Sequence, residues 1–263
     1  MNLDLHDKVI MVAASSKGLG YGIAEAVAQE GARVSLASRT EADIQRAAAI
    51  LRDQCSADAR GYTFDARDAD SIDQWYAATL SAFGRVDGLV VNAGGPPAGT
   101  FDQLDDEAWT NAFQLTLLSA VRMIRAVLPT MKQQQSGAIL TVTSTSVKEP
   151  NDILLLSNVL RSGVVSLVKT LSRDLAPHSI RINNLIPGRF DTDRVRELDQ
   201  IAADRRGIAV SQQQAEQHQA IPLGRYGTIQ EYGAAGAFLL SDAARYITGA
   251  TLLVDGGKTR TVW

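Results

Sequence analysis

The sequence predicts an α/β fold: a Rossmann-type, doubly wound parallel sheet of about seven strands with helices on both faces. Three observations predict it. Short apolar runs recur along the chain, as at 8–14, 86–94 and 180–188, and such runs belong to strands covered on both sides. Between them lie longer stretches with helical periodicity. A serine- and glycine-rich turn at 15–20 joins the first apolar run to the first helical stretch, the position where such sheets meet a dinucleotide.

The elements follow in order. A strand at 8–14 leads through the turn into a helix near 21–30, ended by Gly31. A strand at 32–38 and a helix at 41–54 come next, then a short strand at 61–66 and an amphipathic helix at 71–84. The buried strand 86–94 runs into a Gly-Gly-Pro-Pro loop. A helix over 105–133, interrupted near its start, precedes a strand at 137–144, a long helix at 154–176 and a strand at 180–188. The stretch 191–219 is polar and helical; a helix at 230–240 and a strand at 249–257 complete the pattern. With no linker and no internal repeat, residues 1–263 read as one domain. The 191–219 stretch is a substrate lid within it, or else a solvated helix pair on the sheet edge.

Composition narrows the function classes. The 263 residues are 45% apolar and 21% charged, enough for a full core. The net charge is −3, and no Lys/Arg cluster marks a nucleic-acid surface. The lone Cys55 cannot form an internal disulfide, and His6, His178 and His218 lack metal-ligand spacing. The N-terminus has no basic stretch followed by a long apolar run, and the longest apolar runs are short for a membrane span. The expectation is a cytoplasmic protein acting on a small molecule, without nucleic acid, membrane or metal.

The turn at 15–20 contains Ser15, Ser16, Lys17, Gly18 and Leu19. Helix N-terminal amides face a pyrophosphate there, and glycine lets the backbone approach it. The spacing is not G-x-G-x-x-G, so a plain tight turn is the alternative. A site for NAD(H) usually ends its second strand in Asp or Glu to bond the ribose 2′-hydroxyl. Residues 34–40 hold no acid, and Arg39 stands there instead. A guanidinium suits a 2′-phosphate, with Lys17 as a second charge. The pair favours NADP(H) over NAD(H), unless both are ordinary surface charges. Asp65 and Ala66 end the third strand, and Asn92, Ala93 and Gly94 the fourth, at the edge where ligands lie. Asp65 is placed to bond an adenine amino group, and the small pair 93–94 to leave room for a flat ring.

Taken in order, "AASSKGLG", Asp65, "NAG" at 92–94, Ser144, "RINNLIPG", "IPLGRYG" at 221–227 and "YITGATLLVDGG" at 246–257 resemble the short-chain dehydrogenase/reductase family, and within it the 3-oxoacyl-acyl-carrier-protein reductases. The resemblance runs from residue 8 to 257. It implies hydride transfer between a nicotinamide and a carbonyl or alcohol, and a homotetramer or homodimer. It assigns Ser15, Lys17, Gly18 and Leu19 to the diphosphate and Asp65, Ala66, Asn92 and Gly94 to the adenosine half. It assigns Pro187, Gly188, Phe190 and Thr192 to the nicotinamide end, and 191–219 to covering the substrate. The last strand and the tail toward Trp263 would lie near a subunit interface.

The chain departs from the family at its reacting centre. Ala14 stands for the first glycine of the turn, and Thr116 for the catalytic asparagine. Ser144 keeps the family's serine. Ser157 and Arg161 replace its tyrosine and lysine. Serine is a far weaker acid than phenol, and arginine stays protonated, so neither replaces a proton shuttle. Ser157 and Arg161 are four apart, hence on one helical face. Arg161 can approach Ser157, ribose hydroxyls (a cofactor contact) or a substrate anion; a small packing residue beside a backbone-bonded arginine is the alternative. Arg189, after the Pro-Gly turn, is a candidate anchor for a substrate carboxylate or phosphate beside Ser144. Three readings remain: an NADP(H)-dependent oxidoreductase with a non-standard proton donor, a lyase or isomerase on the same scaffold, and a non-catalytic nicotinamide-binding protein.

Overall fold

Seven strands form one parallel sheet in the order β3-β2-β1-β4-β5-β6-β7. They are β1 Val9–Ala13, β2 Arg33–Ser38, β3 Ala59–Thr63, β4 Gly88–Val91, β5 Gly137–Val142, β6 Ile180–Pro187 and β7 Thr251–Val254. The structure, a computed structural model, describes residues 2–262. The order reverses beside β1, so the carboxyl ends of β1 and β4 open a crevice, the switch point where such sheets take ligands.

Alternate residues of a strand face opposite sides of the sheet. Ile10 and Val12 join one core with Ile23, Val27, Val34, Leu36, Ile44 and Leu51. Met11 and Ala13 join the other with Ile72, Trp75, Leu89, Ile124, Val127, Val164 and Ile182. Helices α1 Gly18–Gln29, α2 Glu41–Cys55 and α9 Ile229–Leu240 supply the first layer, and α3 Ala69–Phe83, α5 Ser119–Gln134 and α6 Leu155–Leu175 the second. Full burial of each large aliphatic side chain contributes about 1.5–3 kcal/mol. The indole N–H of buried Trp75 donates to Ser35 Oγ at 2.9 Å, so its polar end is not left unpaired in the core.

Helices α1 and α9 cross at backbone contact. A Cβ on Gly22 would fall 2.3 Å from Ile229 O, and one on Gly233 2.1 Å from Gly22 O. This crossing fixes the N-terminus of α1 at the crevice.

The structure shifts several expected boundaries. The third strand is 59–63 rather than 61–66, so Asp65 and Ala66 lie in the loop beyond it. The expected break in the 105–133 helix is a π-helical turn, Gln114–Leu118, joining α4 Asp106–Phe113 to α5 without a stop. This 29-residue run is long and apolar enough to cross a membrane by length and composition, contrary to the expectation of short apolar runs. Its stripe of Met123, Ile124, Val127 and Met131 is buried in the second core. The 191–219 stretch forms α7 Asp193–Arg206 and α8 Val210–Gln219. It buries Asp199, Ala203 and Gln213, more than a solvated pair would. Trp263 lies outside the described residues.

Candidate active site

A cavity of about 450 Å³ opens at the carboxyl end of the sheet. It gathers Lys17, Gly18 and Leu19 from the start of α1, Asn92–Gly94 from the end of β4, Ser144 from the end of β5, Ser157 and Arg161 from α6, and Pro187, Gly188, Phe190 and Thr192 after β6. These segments are up to 175 residues apart, yet each ends at the same sheet edge, which is why residues so distant in sequence share one wall.

The cradle on the α1 side is backbone geometry. Gly18 has φ +63, a left-handed conformation that glycine adopts without cost. A Cβ on Gly20 would lie 2.5 Å from Ala14 O and 2.7 Å from Asn92 Nδ2. Asn92 Nδ2 donates to Ala13 O at 3.3 Å and Ala14 O at 3.2 Å, tying β4 to the turn. Ala14 itself has φ 48, so the residue in place of a glycine still adopts the glycine conformation, at a cost of about 1–2 kcal/mol. A Cβ on Gly94 would meet nothing within 4 Å, leaving open space beside the cradle.

The opposite wall is side-chain chemistry. Ser144 caps the short turn Thr145–Val147 by accepting from Ser146 N at 3.2 Å. Its own hydroxyl hydrogen is therefore free to donate into the cavity. Ser157 Oγ lies 3.2 Å from Ser146 Oγ. Ser146 is buried and outside the cavity lining; it fixes Ser157 from behind. Arg161 is buried, and its Nη1 donates to Val142 O at 2.8 Å. Burial lowers its pKa to about 10, Tyr232 opposing and Arg194 adding to the lowering; it is still a cation at neutral pH.

No tyrosine, histidine, cysteine or glutamate lines this cavity among the described residues. Tyrosines elsewhere have moved the wrong way for acid catalysis. Burial pushes Tyr21 and Tyr226 to about 12, and Tyr232 well above its ordinary value.

Several expected roles need correction. Ser15 is fully buried, its hydroxyl donating to Val12 O at 2.7 Å and accepting from Ala37 N at 3.2 Å. It holds the turn and has no side chain to offer a phosphate. Lys17 reaches across the crevice to Asp193 at 2.6 Å, so it ties α1 to α7 instead of standing as a free charge for a 2′-phosphate. Arg189 does not face a substrate. It pairs with the buried carboxylate of Asp199, which also accepts from Tyr226 Oη at 2.7 Å. Thr116 is separated from the main cavity. Its Oγ1 has no partner and faces a space of about 10 Å³ shared with Asn92, Ser119 and Arg161.

The adenosine-side residues lie apart from the main cavity. Ser16 lines a second cavity of about 430 Å³ between α1 and α2, with Tyr21, Asp43 and Arg46. Arg39 is exposed beyond β2. Asp65 is gripped by Arg67 at 2.8 and 3.2 Å; this pairing chiefly, and Arg39 to a lesser degree, holds its carboxyl below the usual range.

Sequence reasoning missed Ser146, Arg194 and Asp199. The run Thr-Ser-Thr-Ser at 143–146 offered a hint for the first. Nothing in the polar pattern of 191–219 marks which acid is buried.

Comparison with known proteins agrees with this architecture. Residues 13–259 match a family model described as enoyl-(acyl carrier protein) reductase. The chain is 32% identical to the 3-oxoacyl-[acyl-carrier-protein] reductase FabG of Escherichia coli over 255 residues, covering 97% of this chain and 98% of that protein. It superposes on L-sorbose reductase from Gluconobacter frateurii, complexed with NADPH and L-sorbose, with a TM-score of 0.94 and 27% identity, covering all of both chains. It also superposes on an NADPH-bound short-chain oxidoreductase from Pseudomonas aeruginosa described as containing an atypical catalytic center, with a TM-score of 0.88 and 29% identity over 98% of this chain and 100% of that one. With its crevice, its cradle and these matches together, the chain belongs to the short-chain dehydrogenase/reductase family.

Proposed function

We propose that the protein is an NADP(H)-dependent reductase of a carbonyl compound in which two serines and a buried arginine replace the family's proton-donating set. The observation that carries this reading is the meeting of a backbone cradle, Ala14 to Leu19 and Asn92 to Gly94, with Ser144, Ser157 and Arg161 in one cavity. The cradle suits a dinucleotide: amides of the α1 N-terminus face the crevice, and a Cβ at Gly20 would close it. Lys17, Gly18 and Leu19 would hold the diphosphate, and Pro187, Gly188, Phe190 and Thr192 the nicotinamide end. Ser16, Arg39, Asp65 and Ala66 would serve the adenosine half.

When bound, the reduced nicotinamide supplies the hydride. Ser144 and Ser157 donate hydrogen bonds to the substrate oxygen, and Arg161 stabilises the negative charge that develops there. The guanidinium is held in low dielectric by Val142 O, so its field is stronger than it would be in water. The product oxygen takes its proton from solvent, relayed by the Ser157 hydroxyl, since no acid titrating near neutrality lines the cavity. Segment 191–219 covers the substrate, with Asp199 and Arg189 fixing it to the end of β6.

Exposed Phe101, Phe113, Val159 and Tyr246 support assembly as a homodimer or homotetramer, which light scattering would measure; a cytoplasmic location fits the same reading. The test of function is NADPH oxidation against a panel of ketones, aldehydes and 3-oxoacyl thioesters. Turnover with at least one, and weaker use of NADH, is expected. NADPH binding without oxidation by any of them would favour a non-catalytic binding protein instead. Product formation with no net change in nicotinamide would favour a lyase or isomerase.

A further inference from the structure

Two guanidiniums from different helices face the main cavity with no carboxylate to balance them. Arg161 on α6 is buried with a neutral backbone partner. Arg194 on α7 leans over the loop after β4. Its Nη2 donates to Pro96 O at 3.4 Å, and a Cβ on Gly95 would meet its Nε and Nη2 at 3.6 Å. Its acidic partner, Glu197 at 2.9 Å, is one turn along the same helix, exposed, and outside the cavity lining. Such a surface pair yields readily to a better ligand.

The other charges in the lining cancel. Lys17 pairs with Asp193, and Arg196 with Asp191 and Asp193. Arg161 and Arg194 are left over, and they lie close enough for Arg194 to depress the Arg161 pKa. Two like charges turned toward one cavity are a standing cost unless something negative enters between them. The reaction itself supplies one negative charge, the developing alkoxide beside Arg161. One cation then remains, which matches a monoanion. The rest of the wall is apolar, with Pro96, Val142, Leu154, Phe190, Val195 and Leu198, and a planar fork suits a carboxylate.

We propose that the substrate is an oxo acid, an apolar body carrying a carboxylate that Arg194 holds at the cavity mouth while its carbonyl lies beside Ser144, Ser157 and Arg161. The inference rests on the reductase reading. The test compares NADPH oxidation with 2-, 3-, 4- and 5-oxo acids and with their methyl esters. At least one acid should exceed its ester about tenfold in kcat/KM. Arg194→Gln should remove that preference by raising the KM for the acid, leaving the ester and the KM for NADPH within about twofold, whereas Arg194→Lys should restore part of it. An ester used as well as its acid overturns the proposal and leaves the reductase reading standing. So does an Arg194→Gln effect that falls on NADPH and not on the acid. If no carbonyl is reduced, calorimetry on the NADPH complex still decides: hexanoate should bind about tenfold tighter than methyl hexanoate, and equal or absent binding of the two overturns the proposal.

Discussion

The two walls of the cavity are built by different means. The α1 wall is made of backbone: left-handed Gly18, the close approach at Gly20, and Asn92 bonded to two carbonyls. The α6 wall is made of side chains: Ser144, Ser157 with Ser146 behind it, and Arg161 on a single carbonyl. A backbone wall tolerates few changes, because each removes the conformation or the space that the ligand needs. A side-chain wall accepts new chemistry wherever the replacement keeps the helix face. The substitutions at 157 and 161 keep that face, which is how the reacting centre changes while the cradle stays.

The difference can be tested from both sides. The largest effect is expected at Arg161. Removing a preorganised stabiliser of a developing oxyanion costs about 10²–10³ in kcat, so Arg161→Met should lose that much while its NADPH dissociation constant, measured by fluorescence, changes less than about threefold. A parallel loss of NADPH binding would move Arg161 to the cradle and break the contrast.

The pH dependence follows from the same residue. Burial sets the folded pKa of Arg161 at about 10, below its unfolded value. The charged form is therefore disfavoured by folding. That stability cost is fully present below about 10 and is relieved as pH rises through it. The catalytic benefit runs in the opposite sense, present below about 10 and lost above. The kcat/KM profile should lack a limb near neutrality and fall by about tenfold per unit above about pH 10. A limb near pH 7 would point to an acid that the cavity lining does not contain.

On the backbone wall, Gly20→Ala should cost about 1–3 kcal/mol in stability by overpacking and weaken NADPH binding. Unchanged binding and unfolding midpoint would show the turn to be more yielding than its contacts imply. The smallest effect is expected at Ala14. Ala14→Gly removes a left-handed alanine, and the relief exceeds the entropy glycine loses on folding by a few tenths to about 1 kcal/mol. Denaturant unfolding should show a higher midpoint with the same slope, and a lower midpoint would mean the methyl is needed for packing.

Much of the molecule was legible before any coordinates. The strands and helices follow from apolar runs and periodicity, and the positions of Gly18, Asn92, Ser144, Ser157 and Arg161 in one cavity follow from strand ends on one sheet edge. Boundaries slipped where the signal was short, as at β3, or where a π turn continued a helix that the pattern suggested was broken.

The sequence by itself determined the sheet, its cradle and the exchange of a tyrosine and a lysine for a serine and an arginine. These are local properties: periodicity, turn chemistry and residue identity at a fixed spacing. The tertiary structure decided who pairs with whom. It spent Ser15 on the backbone, tied Lys17 to Asp193, buried Asp199 beneath Arg189 and Tyr226, and set Ser146 behind Ser157. Each of these pairings depends on which loop or helix lies beside which strand end, and on how little water reaches the contact. No spacing along the chain encodes that.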